Sequence, residues 1–124
     1  MTDPTQHTAT AQRLFYPDED LDLPFTVINH PGVVIITLHP EAVLDPLLVD
    51  VRAYRWIQGV RGRVIVDVSR IQTIDSRCCG WLVNLLRVAK PAVVSISGAT
   101  ERVAGTLKML GLDTLIEIEG SRAS

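Results

Sequence analysis

The stretch Val64-Ile65-Val66-Asp67-Val68-Ser69, followed a few residues later by Ile74-Asp75-Ser76-Arg77-Cys78-Cys79-Gly80-Trp81-Leu82, constrains this chain more than any other. The first part is an almost continuous apolar run rich in β-branched residues, the signature of a strand buried on both faces of a sheet. It stops at a short polar turn, and an acidic–hydroxyl pair then opens a helix. Asp75 and Ser76 therefore stand at a helix N-terminus, where unpaired backbone N–H groups and the helix dipole favour negative charge. A serine so placed either caps the helix or carries a phosphate that a partner reads as a switch.

The remaining sequence extends this strand–turn–helix unit on both sides. Phe25-Thr26-Val27-Ile28 and Val33-Val34-Ile35-Ile36-Thr37-Leu38 read as two strands of a hairpin around the turn signal His30-Pro31-Gly32. Asp45-Pro46 is a helix start, with Leu47, Leu48, Val51, Tyr54 and Ile57 forming an apolar face and Gly59 ending it. A second helix is predicted from about Cys78 to Ala89, with Trp81, Leu82, Leu85 and Leu86 inward and Pro91 closing it. Val93-Val94-Ser95-Ile96 follows as a strand. Thr100 then caps a third helix through Val103, Ala104, Leu107 and Leu110, and Gly111-Leu112 forms its glycine C-cap. Leu115-Ile116-Glu117-Ile118 is a last short strand. The order β-β-α-β-α-β-α-β argues for an α/β fold, one mixed, mostly parallel sheet with its helices on one side. Residues 1–22 read as a flexible acidic arm, 23–120 as the domain and 121–124 as a tail.

Composition narrows the function classes. At 124 residues the chain is long enough to bury a core without staples. No apolar run approaches the roughly 18 residues of a membrane span, and Met1 to Gln12 offers no signal-peptide core. Only Cys78 and Cys79 are present, so neither a disulfide framework nor a zinc site is spelled, and a reduced, cytoplasmic setting is expected. The net charge of −2 and the lack of a basic stripe with interleaved aromatics argue against nucleic acid. That charge is unevenly spread. Asp18, Glu19, Asp20 and Asp22 crowd the arm, whereas Arg52, Arg55, Arg61, Arg63, Arg70, Arg77, Arg87 and Lys90 populate the middle. Such an arm either folds back, steers a partner or is simply solvated.

Residues about 25 to 119 together resemble the STAS domain of the bacterial anti-sigma factor antagonists. The resemblance rests on the strand Val64 to Val68, the turn Ile74-Asp75-Ser76 opening a helix, the strand Val93 to Ser97 followed by Gly98, and the tail from Leu107 through Gly111-Leu112 to Ile116. It implies a non-enzymatic regulatory module that binds an anti-sigma factor, a histidine-kinase-like ATPase, and so frees a sigma factor. The family's loop typically reads Asp-Ser-Ser-Gly-hydrophobic-Gly, its second serine accepting phosphate. On that pattern Asp75 matches the aspartate, Ser76 the first serine, Arg77 the acceptor, Cys78 the first glycine and Gly80 the last. Arginine cannot accept a phosphoryl group. The switch is therefore lost, moved to Ser76, or was never used in this branch. Some STAS domains serve instead as small subunits of lipid-transport ABC complexes, which makes a transport ATPase the alternative partner.

The expected partner-binding loop is Asp75, Ser76, Arg77, Cys78 and Trp81. Each has a plainer reading: Asp75 as turn former, Ser76 as cap, Arg77 as solvated charge, Cys78 and Cys79 as small buried residues, and Trp81 as core. A helix N-terminus could lower a thiol pKa, but a cysteine nucleophile also needs a histidine, and His7, His30 and His39 lie in the arm or early strands and turns. No phosphate-cradling glycine loop, carboxylate pair or metal-ligand spacing appears, so no cofactor, metal or catalytic residue is expected.

Overall fold

In the computed structural model the described residues are 23–44, 48, 50–58, 60 and 62–120. The expected arm, the helix start at Asp45-Pro46 and the tail fall outside them. Five strands form one sheet in the order β1-β2-β3-β4-β5: β1 (Phe25–His30), β2 (Val33–Leu38), β3 (Arg63–Asp67), β4 (Val93–Ala99) and β5 (Glu117–Gly120). The first pair is the expected antiparallel hairpin, closing on His30 opposite Val33, and every later pair is parallel. Two α-helices are present among the described residues, α1 (Ser76–Ala89) and α2 (Glu101–Met109). None is long and apolar enough to cross a membrane.

Alternation along the strands decides which face is core. Val34, Ile36 and Leu38 of β2, Val64 and Val66 of β3, and Val94 and Ile96 of β4 are buried. They share one core with Cys78, Trp81, Leu82 and Leu85 of α1 and Val103 and Leu107 of α2. The opposite face is more open, contrary to the two-faced burial expected of β3. Ile35 and Ile65 are half-buried there, and Ile28 and Val93 are exposed. Ser95, on that open face, is nevertheless buried, and its hydroxyl is 3.4 Å from a guanidinium nitrogen of Arg63. The same nitrogen stands 3.8 Å from Glu119, so Arg63 lies across β4 from β3 to β5.

The first expected helix is corrected within the described residues. From Asp50 onward the chain makes two short 3-10 turns, Val51–Ala53 and Arg55–Ile57. Competing hydrogen bonds at two points, Asp50 and the Ala53 carbonyl, explain this. Asp50, in an extended conformation, accepts the Arg52 N–H and pairs with its guanidinium at 2.9 Å, which holds the Asp50 carboxyl down at about 2. The Ala53 carbonyl is taken by two indoles, Trp56 Nε1–H at 3.0 Å and Trp81 Nε1–H at 2.9 Å. The Ile57 N–H accordingly bonds back to Tyr54, three residues away. Leu48, Ala53 and Ile57 are still fully buried, so the apolar pattern marks core contacts without marking an α-helix.

At the other end, Gly111 takes the left-handed conformation expected of a C-cap, with φ at +80°. A 3-10 turn over Leu112–Thr114 follows, and β5 begins at Glu117, two residues beyond the expected Leu115. Leu112 and Ile116 are buried while Leu115 points outward.

Candidate functional site

The candidate loop joins β3 to α1 at the carboxyl end of the parallel strands, where open α/β sheets commonly present their sites. It is built tightly. The Val68 N–H bonds the Ser97 carbonyl at 2.9 Å, Asp67 accepts the Ser69 N–H at 2.9 Å, and the Ile71 N–H bonds Val68 at 3.0 Å. Ile71 and Ile74 are buried and pin the loop to the core, leaving Ser69, Arg70, Gln72 and Thr73 outside. Gly98 of β4 lets the loop sit this close. Its φ is +77°, and a Cβ there would lie 2.8 Å from that of Ser69.

The helix start reassigns one expected role. Asp75, in an extended conformation, is the N-cap, and its carboxylate accepts the Cys78 N–H at 3.0 Å. Ser76 is the first helical residue. It is exposed, and its hydroxyl makes no hydrogen bond among the described residues. Capping by Ser76 is therefore excluded. Because Asp75 sits one residue earlier with Ile74 buried behind it, its side chain meets the first-turn donor before Ser76 can. Arg77 is exposed too, and no described carboxylate pairs with it. Gly80 is exposed with open space where a Cβ would be.

Cys78 and Trp81 lie beneath this surface. Cys78 is fully buried, and burial pushes its thiol up to about 12, with the neighbouring Cys79 and the Asp75 charge adding to the shift. Burial, then Asp75, raises the Cys79 thiol as well. Neither is a nucleophile at neutral pH, because the thiolate is the reactive form. Trp81 is only 1% exposed, its indole held by the Ala53 carbonyl and packed against Phe25 with ring centroids 5.5 Å apart. The side chains a partner can touch directly here are thus Ser76 and Arg77, with Asp75 half-buried beside them. Among the described residues no group of three His, Cys, Asp or Glu side chains is placed to hold a metal ion.

One feature of this region was not legible in the sequence. Trp56 and Trp81 both donate to the Ala53 carbonyl, and Phe25 of the hairpin packs against both rings, stacked on Trp56 with centroids 6.2 Å apart, which ties the hairpin to α1.

This arrangement can be set beside known proteins. A family model described as "Mlab, STAS domain" matches residues 45–117, more than half of the chain. The protein belongs to the STAS-domain family. STAS domains of this kind are regulatory and non-catalytic. A crystal structure of a Thermotoga maritima protein assigned as an anti-sigma factor antagonist is similar, with a TM-score of 0.53 over 82% of this chain and 88% of that one. At 18% identity that likeness carries the STAS fold alone. No curated protein matches the chain.

Proposed function

We propose that this STAS domain is a protein-interaction module of the anti-sigma antagonist type, presenting Ser76 and Arg77 at the head of α1 to a histidine-kinase-like anti-sigma factor. One observation carries this reading. Asp75 already caps the helix, and the core beneath is filled by Cys78 and Trp81, so the exposed Ser76–Arg77 pair has no structural task. Arg77 at the family's acceptor position cannot take a phosphoryl group, and Ser76 is the hydroxyl beside it. A phosphate on Ser76 would meet first-turn N–H groups and Arg77 and would be repelled by Asp75. Release of the sigma factor would then follow from mass action, the module occupying the kinase better than the sigma factor does.

A second reading, a small subunit gripping the nucleotide-binding domain of a lipid-transport ABC complex, is favoured by Arg77 itself. A permanent positive charge needs no phosphorylation to hold a partner. Pull-down from native lysate with mass spectrometry separates the two readings by the ATPase captured. Calorimetry on that partner then tests the surface. Ser76→Asp and Arg77→Ser should each change affinity by about 1–3 kcal/mol. With a cognate kinase and ATP, any phosphate should appear on Ser76 and vanish in Ser76→Ala. Unchanged affinity for both variants would move the interface elsewhere.

A further inference from the structure

The face of the sheet turned away from both α-helices is left uncovered by the described residues. Parallel sheets are ordinarily covered on both faces, yet here both α-helices and the 3-10 turns ahead of β3 pack on one side. Strand register sets the residues of the open face in level rows. Ile28 stands opposite Ile35, and Ile35 opposite Ile65, so one apolar row crosses β1, β2 and β3. Ile28 is 49% exposed and ends that row on an edge strand. The next row, at the amino ends of the parallel strands, sets Val33, Arg63 and Val93 level with one another, and Val93 is 55% exposed. On the other side of the isoleucines, Asp67 follows Ile65 by two residues on the same strand and so on the same face.

Charge on β3 is therefore opposite in sign on the two sides of the isoleucine row. The Arg63 backbone lies about 7 Å to one side and that of Asp67 as far to the other. Within one chain neither charge is well matched. Arg63 leans on Glu119 at 3.8 Å with its side chain 46% exposed, a surface contact of little strength. Asp67 uses one carboxylate oxygen on the Ser69 N–H and pairs with no cation among the described residues. A two-fold axis along the row sets each isoleucine against its own copy. The same axis sets each Arg63 opposite Asp67 of the other copy, the reciprocal pairing of an isologous contact. Stacked sheets lie about 10 Å apart, a gap these two side chains span once Arg63 swings off Glu119.

We infer that the open face of the sheet pairs with that of a second copy, in a two-fold dimer about the Ile28–Ile35–Ile65 row. Self-complementary charge selects a second copy as occupant, since an unrelated apolar partner has no need of opposite signs on the two sides of the row. Five strands about 4.8 Å apart and about five residues long outline roughly 400 Å² on each protomer. The dimer accordingly belongs with weak, transient contacts, below about 1,200 Å² in total. Glu117 closes the row on β5 and meets its own copy there, which weakens the contact further. Because α1 packs on the opposite side of the sheet, both Ser76–Arg77 heads stay free. The inference stands independently of the proposed function.

Analytical ultracentrifugation of the full chain tests the pairing without any other protein. Between about 10 μM and about 1 mM the weight-average mass should climb from that of the monomer toward twice that value. Ile28→Lys, at an exposed edge position, should stay monomeric throughout with little change in melting temperature. Arg63→Glu alone and Asp67→Lys alone each set like charges against one another and should weaken association at least about tenfold. An equimolar mixture of those two variants sets opposite charges at both contacts and should recover the dimer. Thermal melts check that each variant is folded. If Asp67→Lys loosens the Ser69 turn and melts early, Ile28→Lys still decides the matter. A wild type that stays monomeric to about 1 mM, whether because the face is covered by the rest of its own chain or because it does not pair, would overturn the inference. So would Ile28→Lys associating as the wild type does, or a mixture of folded charge variants that remains monomeric.

Discussion

Asp75→Ala isolates the residue that starts α1. The substitution removes the acceptor of the Cys78 N–H, now bonded at 3.0 Å. Loss of a side-chain N-cap costs about 0.5–2 kcal/mol. The upper half of that range applies here, because Cys78 is fully buried and its N–H has little access to water as a replacement. About 1–2 kcal/mol corresponds to a fall in melting temperature of roughly 4–8 °C for a domain of this size. Asp75→Asn keeps an acceptor and should cost only a few tenths of a kcal/mol. Ser76→Ala should stay within about 0.5 kcal/mol, because the hydroxyl has no hydrogen bond to lose. Urea unfolding of the three variants with a common m-value, beside thermal melts, supplies the comparison. Equal losses for Asp75→Ala and Ser76→Ala, or a larger loss for the serine, would refute the assignment of the cap.

Val66 is fully buried on the central strand, so Val66→Asp should abolish folding, an unpaired buried charge costing several kcal/mol; a soluble variant with native melting would contradict the core assignment. Gly98→Ala should destabilise by about 1–3 kcal/mol, since a Cβ would meet Ser69 at 2.8 Å on a backbone with φ at +77°, and chemical denaturation measures it. The thiols predict an alkaline limb. Cys78 stays protonated up to about 12 in the fold but ionises near its ordinary 9.0 when unfolded. Stability should therefore fall as pH rises above the unfolded value, by up to about 1.4 kcal/mol per pH unit. Cys78→Ala should flatten that fall in melts at alkaline pH, and an unaltered slope would count against the burial argument.

Local pattern was enough for the elements whose signals are local. The hairpin turn at Pro31-Gly32, the helix through Leu82 and Leu85, and the left-handed stop at Gly111 each depend on residues within a few positions of one another, and each formed as expected. The alternation of strands and helices, with Val64 and Val66 at its centre, likewise sufficed for a mostly parallel sheet.

Tertiary contacts decided what local pattern leaves degenerate. Asp50 to Ile57 carries a helical apolar pattern, but long-range capture of the Ala53 carbonyl by Trp81 and local capture by Trp56 leave 3-10 turns there. Ile65 belongs to an apolar run, and only the placement of both α-helices on the other face leaves it half-open. Asp75 and Ser76 are chemically equivalent as caps on paper. The buried Ile74 sets the register in which the chain enters the helix, and so selects the aspartate. That choice frees the Ser76 hydroxyl and turns Arg77 to solvent while Cys78 and Trp81 go inside. A sequence names the residues able to perform such tasks; which of them reaches water depends on backbone directions fixed by contacts distant along the chain.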